Sequence, residues 1–242
     1  MTNTKIDALI VERFISLESP VGRLRLNGCV RLKRVGWRHL TRGTSLAKRV
    51  FDAAASLALL LLLSPLFALI AILIKLEDGG PVFFVQTRVG KLGRHFRMFK
   101  FRSMFVDAEQ RLKDLLAHNQ HREGVTFKMK NDPRITSVGK WLRRSSFDEL
   151  PQLFNVLIGD MSLVGPRPPV PREVAMYSAS ERRRLMTKPG ITCLWQIGGR
   201  AEIDFSGQVQ LDVQYIESRT FWGDIKILLK TIPAALSGKG AY

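Results

Sequence analysis

The stretch SSFDELPQL carries the two residues best suited to chemistry. Asp148 and Glu149 are adjacent acids in a chain whose formal net charge is +17. Two readings fit them. Ser146-x-x-Glu149 matches a capping box, in which Glu149 closes back on the start of a helix. The same placement has a chemical consequence, because a carboxylate at a helix N-terminus is held ionised by the dipole. An ionised Asp can serve as a nucleophile, and phosphate oxygens are drawn to that same end. Two carboxylates side by side also suit Mg²⁺, which commonly takes one or two of them together with substrate phosphates.

A second candidate is GDMSLVGPRPPVP. Gly165 and the surrounding prolines stiffen the backbone on either side of Arg167. A rigidly held guanidinium suits planar recognition of phosphate, and a proline-rich surface loop accounts for the same residues. Arg88, Lys100, Arg102, Arg134, Arg143 and Arg144 form a scatter of further cations. Singly each reads as a solvated charge; beside two acids they suit an anionic substrate. The charge itself bears on partners, with anionic lipid, nucleic acid and phosphorylated substrates as the candidates. Cys29 and Cys193 are far apart and the four histidines make no cluster, so neither a zinc site nor a disulfide framework is implied. There is no Walker A loop, dinucleotide fingerprint or Gly-x-Ser-x-Gly elbow.

These residues must be positioned by a chain of 242 residues, which suggests one domain with an appendage. Residues 1–45 are a basic extension; Ala8 to Leu17 fits a short amphipathic helix or a frayed tail. Arg23 to Arg49 holds nine Lys or Arg and no acid, which reads as a headgroup-binding collar or as an exposed tail. Lys48, Arg49 and Asp52 close that collar. Ala53 to Ile74 then carries no charge, and as a helix it would be ~33 Å long against a hydrocarbon core of ~30 Å. Pro65 breaks or kinks it near the middle, and Ser64 can bond a carbonyl that the proline frees. A kinked spanning helix and a hairpin returning to the basic side both satisfy these residues.

Beyond residue 79, Val82–Gln86 and His95–Phe101 read as strands around a glycine-containing turn, with Gln86, Arg88, Lys100 and Arg102 sharing one polar face. Helices are predicted over Asp107–His118, Val138–Leu142, Leu150–Ile158, Glu173–Met186, Ile203–Ser218 and Trp222–Leu236. The last is apolar enough to lie on a membrane. Residues 159–171 are predicted irregular, and KPGITCLWQIGGR a turn followed by a strand.

The ordered set KRVFD, Ser64-Pro65, QTRVGKLGRHFRMFKFRSM, NDPRIT with GKWLRRSSFDELPQLFNVLIGDMSLVGPRP, and KPGITCLWQIGGR resembles the bacterial sugar transferases, the monotopic phosphoglycosyl transferases. The likeness covers about residues 46–242. It implies an α+β fold, mostly helical with a small sheet, anchored by one re-entrant helix over residues 46–78 and by interfacial helices of a catalytic domain over 79–242. It implies transfer of a sugar 1-phosphate from a UDP-sugar to undecaprenyl phosphate at the cytoplasmic face of the inner membrane. The residue matching Asp148 would carry the phosphosugar covalently, that matching Glu149 would help hold Mg²⁺, and Arg167 would contact phosphate. Gln196 and Arg200 would join Arg88, Lys100, Arg102, Arg134 and Arg144 in binding substrate. Cys193 stands where such proteins often carry glycine, and IGGR replaces a form more often seen with asparagine. The tail resembles members that use glucose or galactose. The partners implied are the UDP-sugar, undecaprenyl phosphate and inner-membrane lipids, with a homo-oligomer open and nucleic acid absent. Rival readings are a basic membrane-tethered binding module without catalysis, which leaves the acid pair, Arg167 and the Ser-Pro break unexplained, and a metal-dependent lipid-diphosphate hydrolase, which would release sugar phosphate or lipid phosphate without an acceptor.

Overall fold

The computed structural model describes residues 46–108, 110, 132–199 and 203–237. The predicted 8–17 helix, nearly all of 107–118 and the basic collar up to residue 45 lie outside them. The chain divides into two compact units, and Arg49–Tyr242 is the larger.

Two helices open it: α1, Leu46–Leu62, and α2, Ser64–Asp78, bent by 60° from one another. The break follows from Pro65, which has no N–H to give to the Leu61 carbonyl four residues back. Ser64 Oγ donates to that carbonyl instead, at 2.8 Å. The ladder runs normally on either side, with Leu63 N to Leu59 O and Phe67 N to Leu63 O both at 2.9 Å. The expected role of Ser64 is therefore present. Among the described residues no single helix is long and apolar enough to cross a membrane; this bent pair is, by length and composition together.

Each arm of the pair joins a different core. Phe51, Ala55 and Leu60 of α1, with Leu63 at the break, pack on a cluster that includes Met98, Leu153, Val156, Leu163, Val164, Tyr215 and Ile227. Ile70 and Ile74 of α2 are buried with Phe101 and Leu142 in a second cluster. Leu61, Leu62, Leu69, Ile72 and Leu76 stay exposed. Two collar residues are tied to the fold rather than to a headgroup layer. Arg49 donates to the Val156 and Leu157 carbonyls at 2.5 and 2.6 Å, closing the end of a later helix. Asp52 is buried and accepts a hydrogen bond from Ser162 Oγ at 2.8 Å. Lys48 lies in the first turn of α1.

Strands β1, Phe83–Val89, and β2, His95–Phe101, form an antiparallel hairpin. Its register pairs Phe84 with Lys100, Gln86 with Met98 and Arg88 with Phe96. Gln86, Arg88 and Lys100 thus share a face as predicted, though apolar Phe84, Phe96 and Met98 lie among them. Arg102 N donates to Val82 O just beyond the hairpin, which continues that alternation. Helices α3, Ser137–Ser145, and α4, Gln152–Ile158, follow. Asn155 of α4 serves as a substitute strand for the free edge of β2. Its amide nitrogen donates to Arg97 O at 2.7 Å and its oxygen accepts from Phe99 N at 3.0 Å. Asn155→Ala would leave two backbone groups unpaired beside a fully buried position, so we expect a loss of about 2–4 kcal/mol in denaturant unfolding of the detergent-solubilised protein.

The segment 159–171 is not wholly irregular. Ser162–Val164 is a short strand, β3, parallel to β4, Gly190–Thr192. The chains approach closely at their ends, and a Cβ on Gly190 would overlap the Gly165 backbone. The predicted helix over 173–186 is interrupted: α5 covers only Pro171–Ala175, and a 3₁₀ segment covers Glu181–Met186. Ser178 intervenes, its N–H and hydroxyl both donating to the Glu181 carboxylate. After β4 the expected strand turns instead into α6, Leu194–Gly198. Helices α7, Phe205–Ser218, and α8, Phe221–Ser237, complete a mostly helical chain with two small sheets.

Candidate active site

The acids do not occupy an α-helical first turn. Thr136 caps α3, its hydroxyl accepting from Gly139 N at 2.9 Å. Ser146 lies at the other end of α3 in the left-handed region, φ 59°, and makes no capping bond with its side chain. The capping box is therefore not formed. The left-handed residue reverses the chain into a single 3₁₀ turn, Phe147–Glu149. Phe147 packs on the cluster around Leu142, and Leu150 on the cluster around Leu153. Asp148 and Glu149 are thus pinned between the two cores.

Glu149 Oε1 accepts from Lys100 Nζ at 2.8 Å and from Arg167 Nη1 at 3.1 Å. The Asp148 carboxylate lies 4.0 Å from Lys100 Nζ. Among the described residues no hydrogen bond reaches it. The two acids therefore titrate apart. Burial raises the Glu149 carboxyl, but Lys100 and Arg167 outweigh burial and bring it down to about 2. Burial raises Asp148, and the Glu149 charge adds to it; Lys100 offsets only part. The expectation of a dipole-stabilised, readily ionised Asp148 is thus reversed. Lys100 is itself pushed down by burial and by Arg167 and Arg88, which Glu149 partly opposes.

Arg167 stands on the stiff Gly-Pro-Arg-Pro-Pro segment, which is laid beside the end of β1. Val89 N donates to Pro169 O and Arg88 Nη1 to Pro168 O, both at 2.9 Å. Burial and the neighbouring Arg167 lower Arg88 to about 10. Arg88 and Arg167 lie close enough to repel, and only Arg167 is paired with Glu149, so the two together favour anionic oxygen beside them.

These groups open on one cleft of about 880 Å³. Of the residues singled out from the sequence, Gln86, Arg88, Lys100, Arg102, Arg134, Asp148, Glu149, Arg167 and Gln196 line it. Arg102 is engaged by Asp78 of α2, and Arg134 is held by Asp132 through Nε at 2.9 Å and Nη2 at 2.6 Å. Both are structural on this geometry. Arg144 is exposed and does not line the cleft; Arg143, one residue and 100° around α3, does, donating through Nε to Ser103 Oγ at 2.9 Å. Arg200 lies outside the described residues. Tyr177, Arg184, Trp195, Phe205 and Gln208 also line the cleft, and sequence reasoning missed them. Only the i, i+3 spacing of Phe205 and Gln208 on a predicted helix hinted at a shared face.

Residues 43–238 match the bacterial sugar transferase family. The chain is 53% identical over 197 residues to the galactosyl transferase CpsE of Streptococcus agalactiae, covering 81% of this chain and 43% of that protein. It is 45% identical over 204 residues to an undecaprenyl-phosphate galactose phosphotransferase of Salmonella typhimurium, covering 83% of this chain and again 43% of the relative. It is 43% identical over 202 residues to the exopolysaccharide production protein ExoY of Rhizobium meliloti, covering 81% of this chain and 88% of that one. The chain therefore spans less than half the length of the first two relatives and most of the third.

Proposed function

Since the chain belongs to the bacterial sugar transferase family, we propose that it moves a sugar 1-phosphate from a UDP-sugar to undecaprenyl phosphate and releases UMP. One observation carries this reading: Asp148, a buried carboxylate with no hydrogen-bond donor among the described residues, in a cleft walled by Lys100, Arg88, Arg143 and Arg167. Such a group is a nucleophile set in a field that gathers phosphates. An Asp148 oxygen attacks the β-phosphorus, the bond from that phosphorus to the bridging oxygen breaks, and UMP departs with the oxygen. The phosphosugar is left on the carboxylate. A phosphate oxygen of the lipid then attacks the same phosphorus, and the Asp148 carboxylate leaves, yielding the lipid diphosphate sugar.

Glu149, ionised throughout, keeps Lys100 and Arg167 facing the phosphoryl group, while Arg88 and Arg143 add positive charge. The donor set also fits Mg²⁺. Asp148 and Glu149 would supply adjacent oxygen ligands, no third acid, His or Cys completes a cage among the described residues, and Mg²⁺ habitually takes its remaining ligands from phosphates and water. Bound there, Mg²⁺ would neutralise phosphoryl charge and polarise the phosphorus.

Two of the relatives reported above are named for galactose, which supports a UDP-hexose, galactose or glucose, as donor. The third, named for exopolysaccharide production, supports a step in the synthesis of such a polymer. The bent α1–α2 pair and its exposed leucines support a re-entrant anchor in the bacterial inner membrane, with Trp222, Leu229 and Ile232 of α8 exposed for the interface. The test is UMP release over a panel of UDP-sugars with undecaprenyl phosphate. We expect release with UDP-galactose or UDP-glucose and its loss in EDTA; no release from any UDP-sugar refutes the reading. Tags at residues 45 and 242 should both be cytoplasmic in intact cells, and labelling on opposite sides would show a spanning helix instead.

A further inference from the structure

The lining of the cleft includes two groups of residues of different character. Around the acids, Lys100, Arg88, Arg143 and Arg167 leave an excess of positive charge. The other group is Tyr177, Arg184, Trp195, Gln196, Phe205 and Gln208. There the charge cancels, because Arg184 is paired with the fully buried Asp212. Three elements meet to build this group. Phe205, Gln208 and Asp212 recur at i, i+3 and i+7 along α7, Trp195 and Gln196 stand on α6, and Tyr177 and Arg184 belong to the 177–186 segment. The Tyr177 and Phe205 rings have centroids 5.5 Å apart, and the Arg184 guanidinium carbon lies 5.7 Å from each. Arg184 Nη1 donates to the Tyr177 hydroxyl at 3.1 Å. Arg184 Nε is buried without a partner among the described residues. Gln208 donates through Nε2 to Ile203 O at 2.9 Å, which fixes its amide, and its oxygen accepts no hydrogen bond among the described residues.

Resting on the transfer reading, we infer that this part of the cleft is the uridine subsite, with the uracil ring on the aromatic–guanidinium stack and its imide edge read by the carboxamides of Gln208 and Gln196. The diphosphate belongs beside the cationic group, so the uncharged part of the donor must extend from it. Flat aromatic faces suit a planar base, and such stacking is worth ~1–3 kcal/mol per base. A side-chain amide offers a donor and an acceptor in one plane, which matches the N3–H and flanking carbonyls of uracil. A hexose, by contrast, is not planar and carries no imide edge for two carboxamides to read.

The experiment measures UMP and CMP binding by calorimetry on the full-length chain in detergent, alongside UMP release from UDP-galactose and UDP-glucose. Phe205→Leu should weaken both nucleotides about tenfold, as loss of stacking requires. Gln208→Leu should weaken UMP about tenfold and erase the preference of the wild type for UMP over CMP. Gln196→Ala, on a separate helix, guards against a folding defect in α7 and should also weaken UMP. In all three, kcat/KM for UDP-galactose should fall with UMP affinity, while the galactose-to-glucose ratio stays unchanged. UMP affinity within twofold of wild type in every variant overturns the inference. So does a changed galactose-to-glucose ratio, which would make this the sugar subsite. Wild-type protein that binds UMP but releases none from any UDP-sugar refutes the transfer reading and leaves the subsite standing.

Discussion

Asp148→Asn should abolish transfer, lowering kcat by about 10³-fold or more, the scale seen when a covalent nucleophile is removed. Asparagine keeps the size and the buried position between the two cores, but it lacks the charge and lone-pair basicity that attack phosphorus. Wild-type protein mixed with UDP-galactose in the absence of lipid should gain the mass of a hexose phosphate on intact-mass analysis, and the variant should gain nothing. Near-normal transfer by Asp148→Asn would sink the covalent scheme. The same residue sets a pH dependence. Its carboxyl is raised by burial and by Glu149, and only the ionised form attacks. Donor kcat/KM should therefore climb with pH along a limb lying above the ordinary carboxylate range. A flat profile through that region would show that another group attacks.

Glu149→Gln should cost about 10²-fold in kcat, the scale of a misplaced catalytic array. The carboxylate receives Lys100 and Arg167 at 2.8 and 3.1 Å, and a neutral amide would release both cations from their fixed positions. It should also move the acid limb, and the sign is definite. The charge of Glu149 favours a proton on Asp148. Removing that charge makes Asp148 lose its proton more readily. The limb moves to lower pH as the maximum rate falls. A limb displaced to higher pH would show that Glu149 does not load Asp148 electrostatically.

The features legible from the sequence are those fixed by near neighbours. Strand β2 follows from alternation and was read at His95–Phe101. The helices α7 and α8 follow from 3.6-residue periodicity, and the Ser64 bond from the carbonyl that Pro65 must orphan. What escaped is set at long range. Ser146-x-x-Glu149 has the spelling of a capping box, yet the partners of Glu149 come from 49 and 18 residues away and draw it into the cleft. Arg49 looks like one more collar cation, but it closes a helix more than 100 residues on. Arg143 and Arg144 are indistinguishable as letters; the 100° step between neighbours on α3 sends one to the cleft and the other to solvent. The 173–186 helix is broken by the local Ser178–Glu181 bonds, and the 3₁₀ piece beyond them is tied at long range through Arg184 to Asp212.

The arm α2 would be taken from its composition for a leash that could be cut. Ile70 and Ile74 lie in the core with Phe101 and Leu142; Asp78 balances the buried Arg102; and Glu77 accepts from the Ser137 and Val138 N–H groups at 2.7 and 3.1 Å. A protein shortened to begin after Asp78 would lose part of its interior, the counter-charge of Arg102 and the support of the helix that leads to Asp148. The bent α1–α2 pair and the acid site thus belong to one cooperative body. A unit cut after Asp78 is not a separable module of this fold, and whatever distorts α2 perturbs the acid pair by the same contacts.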